Sequence, residues 1–394
     1  MAYAGDRLIH DADSHVVETP GWLDEFADPD IRDRLPGLYL RTVRPGEADD
    51  IDAQRLRHAD PEYRARDADE IMLRKNWAAT GAFVREDRGR ALDLLGFASQ
   101  LVFNTFVTVK LVEAEHGDDL DVAYGMARAH NRAIVDFCSV DARLLPVGYV
   151  PLADFERTAA MAGEAIDGGC AALMVPSRCP RAHSPSHIGL DPLWRQAEDA
   201  GIPVVFHVGG GGPLLDRAYF LNGGDVVLDF LGGTENFRSV DYMAIPHPPM
   251  QTLATMLIDG VLDRFPQLRI GVIEQGATWV PSWIKQLESA LEAFSRHEER
   301  LRRLELRPAE YVRRQIRVTP YPTEDAGWVV EQVGPEVCMF SSDYPHVEGG
   351  RNPIGRFDAA LVGVDEVARR RFFVDNFVDL MGSAMARIPL PAPA

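Results

Sequence analysis

The stretch Arg7-Leu8-Ile9-His10-Asp11-Ala12-Asp13-Ser14-His15-Val16-Val17-Glu18 decides the fold. Residues 7–12 form a short run without clean alternation, as expected for a parallel strand covered on both faces. Where that run ends, the chain turns to carboxylates and imidazoles. Asp13 and His15 are two apart, so on an extended backbone they project to the same side. The pattern recurs further along. A strand at 202–206 ends in His207, one at 268–273 ends in Glu274, and one at 336–340 runs into Ser341-Ser342-Asp343-Tyr344-Pro345-His346. Four more short apolar runs, at 100–104, 144–150, 170–175 and 315–318, read as strands. Between the strands lie helical patterns at Leu120–Cys138, Phe155–Asp167, Asp191–Ala200, 251–265 and 277–297. Eight strands, each coupled to a helix, predict the α/β class and a (β/α)8 barrel. A doubly wound sheet would use the same units.

The 394 residues would ordinarily suggest two or three domains. Two long insertions account for the length instead, which makes residues 1–394 one barrel domain. Residues 19–90, rich in Arg, Asp and Pro, follow strand one. Residues 208–250, mixing glycines with Leu, Tyr, Phe and Met, follow strand five. Structured insertions of this length after barrel strands build lids and pocket walls. The glycines at 209–212 lack the Lys-Ser/Thr of a phosphate loop and the GxGxxG spacing.

Composition removes several classes of function. Forty-one basic against 60 acidic side chains leave a formal charge of −19, so no basic excess exists to neutralise nucleic-acid phosphates or an anionic membrane surface. No apolar window reaches the roughly 18 residues of a membrane helix, and Met1 to Arg7 lacks a secretory core. The four cysteines, Cys138, Cys170, Cys179 and Cys338, fit no CxxC or zinc-knuckle spacing and read as reduced thiols. The expectation is a cytoplasmic enzyme that takes a small-molecule substrate, with no nucleic-acid or membrane partner.

Polar residues at the C-terminal ends of barrel strands build the active site in this architecture. Asp13, His15, His207, Glu274 and Asp343 all occupy such ends. Converging carboxylates and imidazoles would repel or bury charge unless a cation offset them. A divalent metal is therefore expected. Three more ligand types stand near the mouth: Glu18, His247 in the Pro246-His247-Pro248 turn, and His346 three residues after Asp343. One zinc with an open position needs three or four protein ligands. Eight candidates would serve two ions in a carboxylate-and-imidazole shell, which suits iron or manganese. Alternatively, Glu18, His247 and His346 surround a single zinc or manganese as acid–base groups. The other histidines read as structural: His10 faces the helices, His58, His116 and His297 lie on the surface, and His130 packs within a helix. His183 and His187 lie on the catalytic side of the barrel.

Taken together, these motifs resemble the amidohydrolase-related, decarboxylase-like branch of the metal-dependent amidohydrolase superfamily. The matching pieces are Asp13-x-His15, His207, Arg264-Phe265-Pro266, Glu274-x-Gly276-x-x-Trp279-x-Pro281, Ser342-Asp343-Tyr344-Pro345, and the helix-then-strand run 131–152. The likeness covers most of residues 88–385 plus the first twenty. It implies a distorted (β/α)8 barrel with a divalent metal on Asp13, His15, His207 and Asp343, and relatives that are dimers or tetramers suggest a homo-oligomer. Two departures stand out. Strand four ends Met174-Val175-Pro176 and has no lysine for a carbamate bridge between two metals; the chain's three lysines are Lys75, Lys110 and Lys285. Strand six carries Glu274 where many hydrolytic relatives have histidine. With eight ligand types, the set is also similar to the nonheme diiron monooxygenase branch of platensimycin-type diterpenoid biosynthesis. That likeness implies two irons and hydroxylation of an unactivated C–H in a bulky substrate activated as a coenzyme A ester. The family's commoner chemistry is hydrolysis or non-oxidative decarboxylation at one metal. There Asp343 or Glu274 shuttles the proton, and His247 or His346 stabilises developing charge.

Overall fold

The computed structural model describes residues 2–37, 47–224 and 239–388. Parts of both insertions, residues 38–46 and 225–238, lie outside the described residues. Seven parallel strands run in chain order around a curled sheet. They are β1 (His10–His15), β2 (Ser99–Phe103), β3 (Leu144–Tyr149), β4 (Ala172–Met174), β5 (Val204–His207), β6 (Ile270–Ile273) and β7 (Ile316–Val318). Every strand residue is buried, as the near-continuous apolar runs require when helices cover the outer face.

The eighth strand of the sequence reading does not form a regular ladder. Residues 337–344 nevertheless close the barrel. The N–H of Val318 donates to Val337 O (2.8 Å) and that of Met339 donates to Val318 O (2.9 Å). On the other side, Ala12 N–H donates to Phe340 O (3.1 Å) and His15 N–H to Tyr344 O (2.7 Å). This segment's pairing is confined to isolated bridges, Val318 with Cys338 and Ser14 with Tyr344, so it meets both edges without the continuous register of a strand.

The helices start and stop where local chemistry dictates. Asp154 accepts the Arg157 N–H at 2.9 Å and opens Phe155–Asp167. Pro192 sits in the first turn of Asp191–Ala200, and Gly201 ends it at φ +64°. The predicted helix at 251–265 is two pieces, His247–Ile258 and Val261–Arg264, because Gly260 turns left-handed between them. β1 lies three residues later than predicted: Asp13 and His15 belong to the ladder itself, their polarity having masked its end. His58 corrects the sequence reading. It is buried, not on the surface, and its Nε2 meets Trp77 O at 2.7 Å. His10 faces the helices as expected, stacked on Phe377 with centroids 5.1 Å apart. No described helix is long and apolar enough to cross a membrane.

Candidate metal centre

The strand ends bring six of the eight predicted ligands together. Ligand atoms of Asp13, His15, His207 and Glu274 lie within 4.8 Å of one another, and so do those of His15, Glu274, Asp343 and His346. The two groups share His15 and Glu274. All six residues are buried. His15 Nε2 lies 3.1 Å from Asp13 Oδ1, 3.5 Å from Asp343 Oδ1 and 3.9 Å from Glu274 Oε2. His207 Nε2 lies 3.4 Å from both Asp13 Oδ1 and Glu274 Oε2.

Each histidine is oriented by its second nitrogen. His15 Nδ1 meets Asn104 O at 2.8 Å, and His207 Nδ1 meets Val208 O at 3.0 Å. A carbonyl only accepts, so both rings carry their proton there and turn a bare Nε2 inward. His346 does the reverse. Thr105 donates its hydroxyl to Val16 O (2.8 Å) and accepts from His346 Nε2 (2.9 Å), leaving Nδ1 3.0 Å from Asp343 Oδ1. Outer hydrogen bonds of this kind are what fix the tautomer of a metal-ligating histidine.

Electrostatics agree with that geometry. Burial, then repulsion from His346, pulls His15 down to about 4; burial pulls His346 down to about 3. Both rings are neutral at ordinary pH and ready to coordinate. Burial raises Asp343 to about 7, with the neighbouring Asp13 pushing the same way. Asp13 Oδ2 and Asp343 Oδ2 are buried and accept no hydrogen bond. Orphaned carboxylate oxygens facing bare imidazole nitrogens are the donor set that a divalent cation satisfies.

The remaining two candidates sit elsewhere. The Glu18 carboxylate accepts the N–H groups of Thr105 (3.1 Å), Phe106 (3.0 Å) and Val107 (3.2 Å), at the start of the helix Val107–Glu115. It is in neither ligand group, although Thr105 links it to His346. His247 is exposed at the first position of His247–Ile258 and is also in neither group. His183 and His187 pack on Phe155, with centroids 4.4 and 4.6 Å away.

Two charged residues that the sequence reading passed over, Glu348 and Lys75, lie at or beside the same centre. Glu348 joins Asp13, Glu274, Asp343, Thr319 and Tyr321 around a chamber of about 10 Å³. Lys75, from the insertion after β1, donates Nζ to Gly350 O at 2.6 Å. Burial lowers it to about 8 against the opposing pull of Asp343 and Glu348, and it raises Glu348 to about 7. The spacing Asp343-x-x-His346-x-Glu348 was a readable signal for the glutamate. For the lysine, the one clue was its rarity.

Several solved structures share this fold. An amidohydrolase from Mycobacterium avium subsp. paratuberculosis K-10 is 22% identical with TM-score 0.72, covering 96% of this chain and 100% of its own. A 5-carboxyvanillate decarboxylase from Novosphingobium aromaticivorans, complexed with manganese and 4-hydroxy-3-methoxy-5-nitrobenzoic acid, is 18% identical with TM-score 0.64, covering 96% and 97%. A 2,6-dihydroxybenzoate decarboxylase from Rhizobium is 14% identical with TM-score 0.62, covering 95% and 98%. At these identities the likeness is one of fold. No curated protein matches the chain. The sequence pattern of the amidohydrolase family, in contrast, matches residues 11–379, from β1 to beyond the strand-eight loop. With that span matched and its strand-end carboxylates and imidazoles converged, the chain belongs to the amidohydrolase family.

Proposed function

We propose that this protein is a divalent-metal-dependent enzyme that decarboxylates a small anionic acid without oxidation. The observation that carries the reading is the buried ligand cluster with unsatisfied oxygens on Asp13 and Asp343. Asp13, His15, His207 and Asp343 would hold the cation, with Glu274 and His346 beside it. When bound, the cation supplies a positive pole for a substrate oxygen and takes up electron density as charge develops there. Lys75 anchors a second anionic group of the substrate. Asp343, paired with His346, carries the proton: the bond from the substrate carbon to its carboxylate breaks, carbon dioxide leaves, and the carbon takes the Asp343 proton. Hydrolysis at the same centre would use these residues with water as the reactant.

The domain reading belongs to the same proposal: one barrel, with 19–90 and 208–250 as lid and walls. In support, Asn76 N–H donates to Pro345 O (2.9 Å), Tyr344 OH to Thr80 O (2.7 Å) and Val17 N–H to Ala82 O (2.8 Å). From the second insertion, Tyr242 packs on Tyr321 with centroids 5.0 Å apart.

A second reading is favoured by one specific feature. Two ligand groups overlapping at His15 and Glu274 give places for two cations rather than one. Two irons there would match hydroxylation of an unactivated C–H in a bulky substrate such as a coenzyme A ester. Elemental analysis of protein purified without added metal, joined to carbon dioxide release from a panel of hydroxybenzoates in air and under nitrogen, separates the two. One manganese or zinc per chain with oxygen-independent release supports decarboxylation. Two irons with no release from any acid overturns it in favour of the oxygenase.

A further inference from the structure

Among the described residues, three non-glycine residues have left-handed backbones: Asn76 (φ +51°), Glu274 (φ +53°) and Asp343 (φ +51°). Two of them are ligand-cluster carboxylates, and the third follows Lys75. A side chain with a Cβ disfavours this conformation, which persists only where neighbours over-determine it. At Glu274 those neighbours are identifiable. Its N–H donates to Thr319 Oγ1 at 2.8 Å, and its C=O accepts from Tyr321 OH at 2.8 Å. One loop, leaving β7, therefore holds both polar groups flanking this Cα.

The loop is itself anchored. Thr319 N–H donates to Val272 O (3.1 Å), extending the β6–β7 pairing. Tyr321 N–H donates to Glu324 Oε2 at 2.7 Å, and the Glu324 carboxylate also takes the N–H groups of Ala277 and Thr278 and the Thr278 hydroxyl. Residues 319–324 thus grip the chain at Glu274 and again just before the helix Trp279–Phe294. The direction of the Glu274 Cα–Cβ bond is set by this turn, not by continuation of β6.

We infer that Thr319 and Tyr321 are positioning residues of the metal centre: they hold Glu274 in its left-handed conformation and so aim its carboxylate where the two ligand groups overlap. The inference rests on the cation-binding reading above. Neither residue needs to touch cation or substrate to act. Thr319 and Tyr321 were invisible as functional residues in the sequence because they work through another residue's backbone.

The test uses metal-free full-length protein titrated with Mn²⁺ against a chelating dye, with thermal melting of the metal-free form alongside. Thr319→Val and Tyr321→Phe should each raise the Mn²⁺ dissociation constant roughly tenfold, the scale of losing an outer-shell partner. The metal-free melting temperature should fall by no more than the few degrees that an unpaired Glu274 N–H or C=O costs, and Thr319→Ser should restore both it and the affinity. In a Glu274→Gln background, adding Thr319→Val should change affinity no further. Parent-like affinity in both variants overturns the inference while leaving cation binding intact. An equal loss in the Glu274→Gln background, or a loss that tracks a fall in melting temperature and is not rescued by serine, also overturns it. A parent protein that binds neither Mn²⁺ nor Zn²⁺ removes the cation reading, and the inference with it.

Discussion

The imidazoles of His15 and His346 stack with centroids 3.9 Å apart and ring planes 30° from parallel. Two charged rings at that distance would repel strongly in a buried site. Both are neutral instead, with pKa values pulled down to about 4 and 3, chiefly by burial. His346→Ala should therefore weaken Mn²⁺ or Zn²⁺ binding by a factor of at least about 10, comparable with other losses around metal sites. Competition with a chelator measures this, and an unchanged dissociation constant would move His346 out of the cation's environment.

Glu18 has a different task from the one its position in the sequence suggests. Its carboxylate satisfies three backbone N–H groups at the start of Val107–Glu115. Glu18→Ala leaves those donors without their acceptor, at a cost of about 1–3 kcal/mol. Urea unfolding should show that loss, and elemental analysis should show metal content equal to that of the parent. Loss of an ion in the variant would return Glu18 to the ligand set.

Lys75 is a cation from the first insertion that lies close enough to Asp343 and Glu348 to be drawn by their charge. Lys75→Met should raise KM for an anionic substrate by about tenfold, within the range of a charge-assisted hydrogen bond, and should lower kcat much less. Steady-state kinetics on the best hydroxybenzoate decide it. A fall in kcat at constant KM would give Lys75 a part in the chemical step instead.

Away from the metal centre, Glu115 is buried with Tyr149 OH donating to it at 2.5 Å. Burial raises it from 4.5 to about 7, against the lowering effect of Tyr149 and the Leu152 N–H. The folded state therefore holds this proton more tightly than the unfolded chain. Its stabilising contribution is complete below pH 4.5, is lost as pH rises towards 7, and stays lost above it. The full swing is on the order of 3 kcal/mol. Glu115→Gln should gain stability relative to the parent between pH 5 and 8, by urea unfolding at each pH. A difference independent of pH contradicts the account.

Much of this site was legible in the sequence because barrel geometry converts strand ends into neighbours. Asp13 and His15 declare themselves by two-residue spacing, and His207, Glu274 and Asp343 by following apolar runs. What failed to show depends on contacts that spacing does not encode. Lys75 reaches the centre because its segment docks on the strand-eight loop, through Asn76 N–H to Pro345 O and its own Nζ to Gly350 O. His58 looks like surface in its charged surroundings, yet it is buried against Tyr63 and Phe83 by the folding of the insertion. Strand eight reads as regular, but its pairing is confined to isolated bridges, Val318 with Cys338 and Ser14 with Tyr344, and it lacks a continuous ladder. The sequence also offered His247 and Glu18 on proximity alone. Proximity along the chain does not set direction in space.

The closure of the barrel has a temporal side. Segment 337–344 reaches across the gap to β1, and Asp343 N–H donates to Asp13 O at 2.9 Å. Asp13 and His15 are therefore made within the first moments of translation, and Asp343 and His346 only near the end. The six-residue cluster cannot assemble before His346 has emerged. Chains that stop short of the seam lack Asp343 and His346, and with them one of the two groups of clustered side chains.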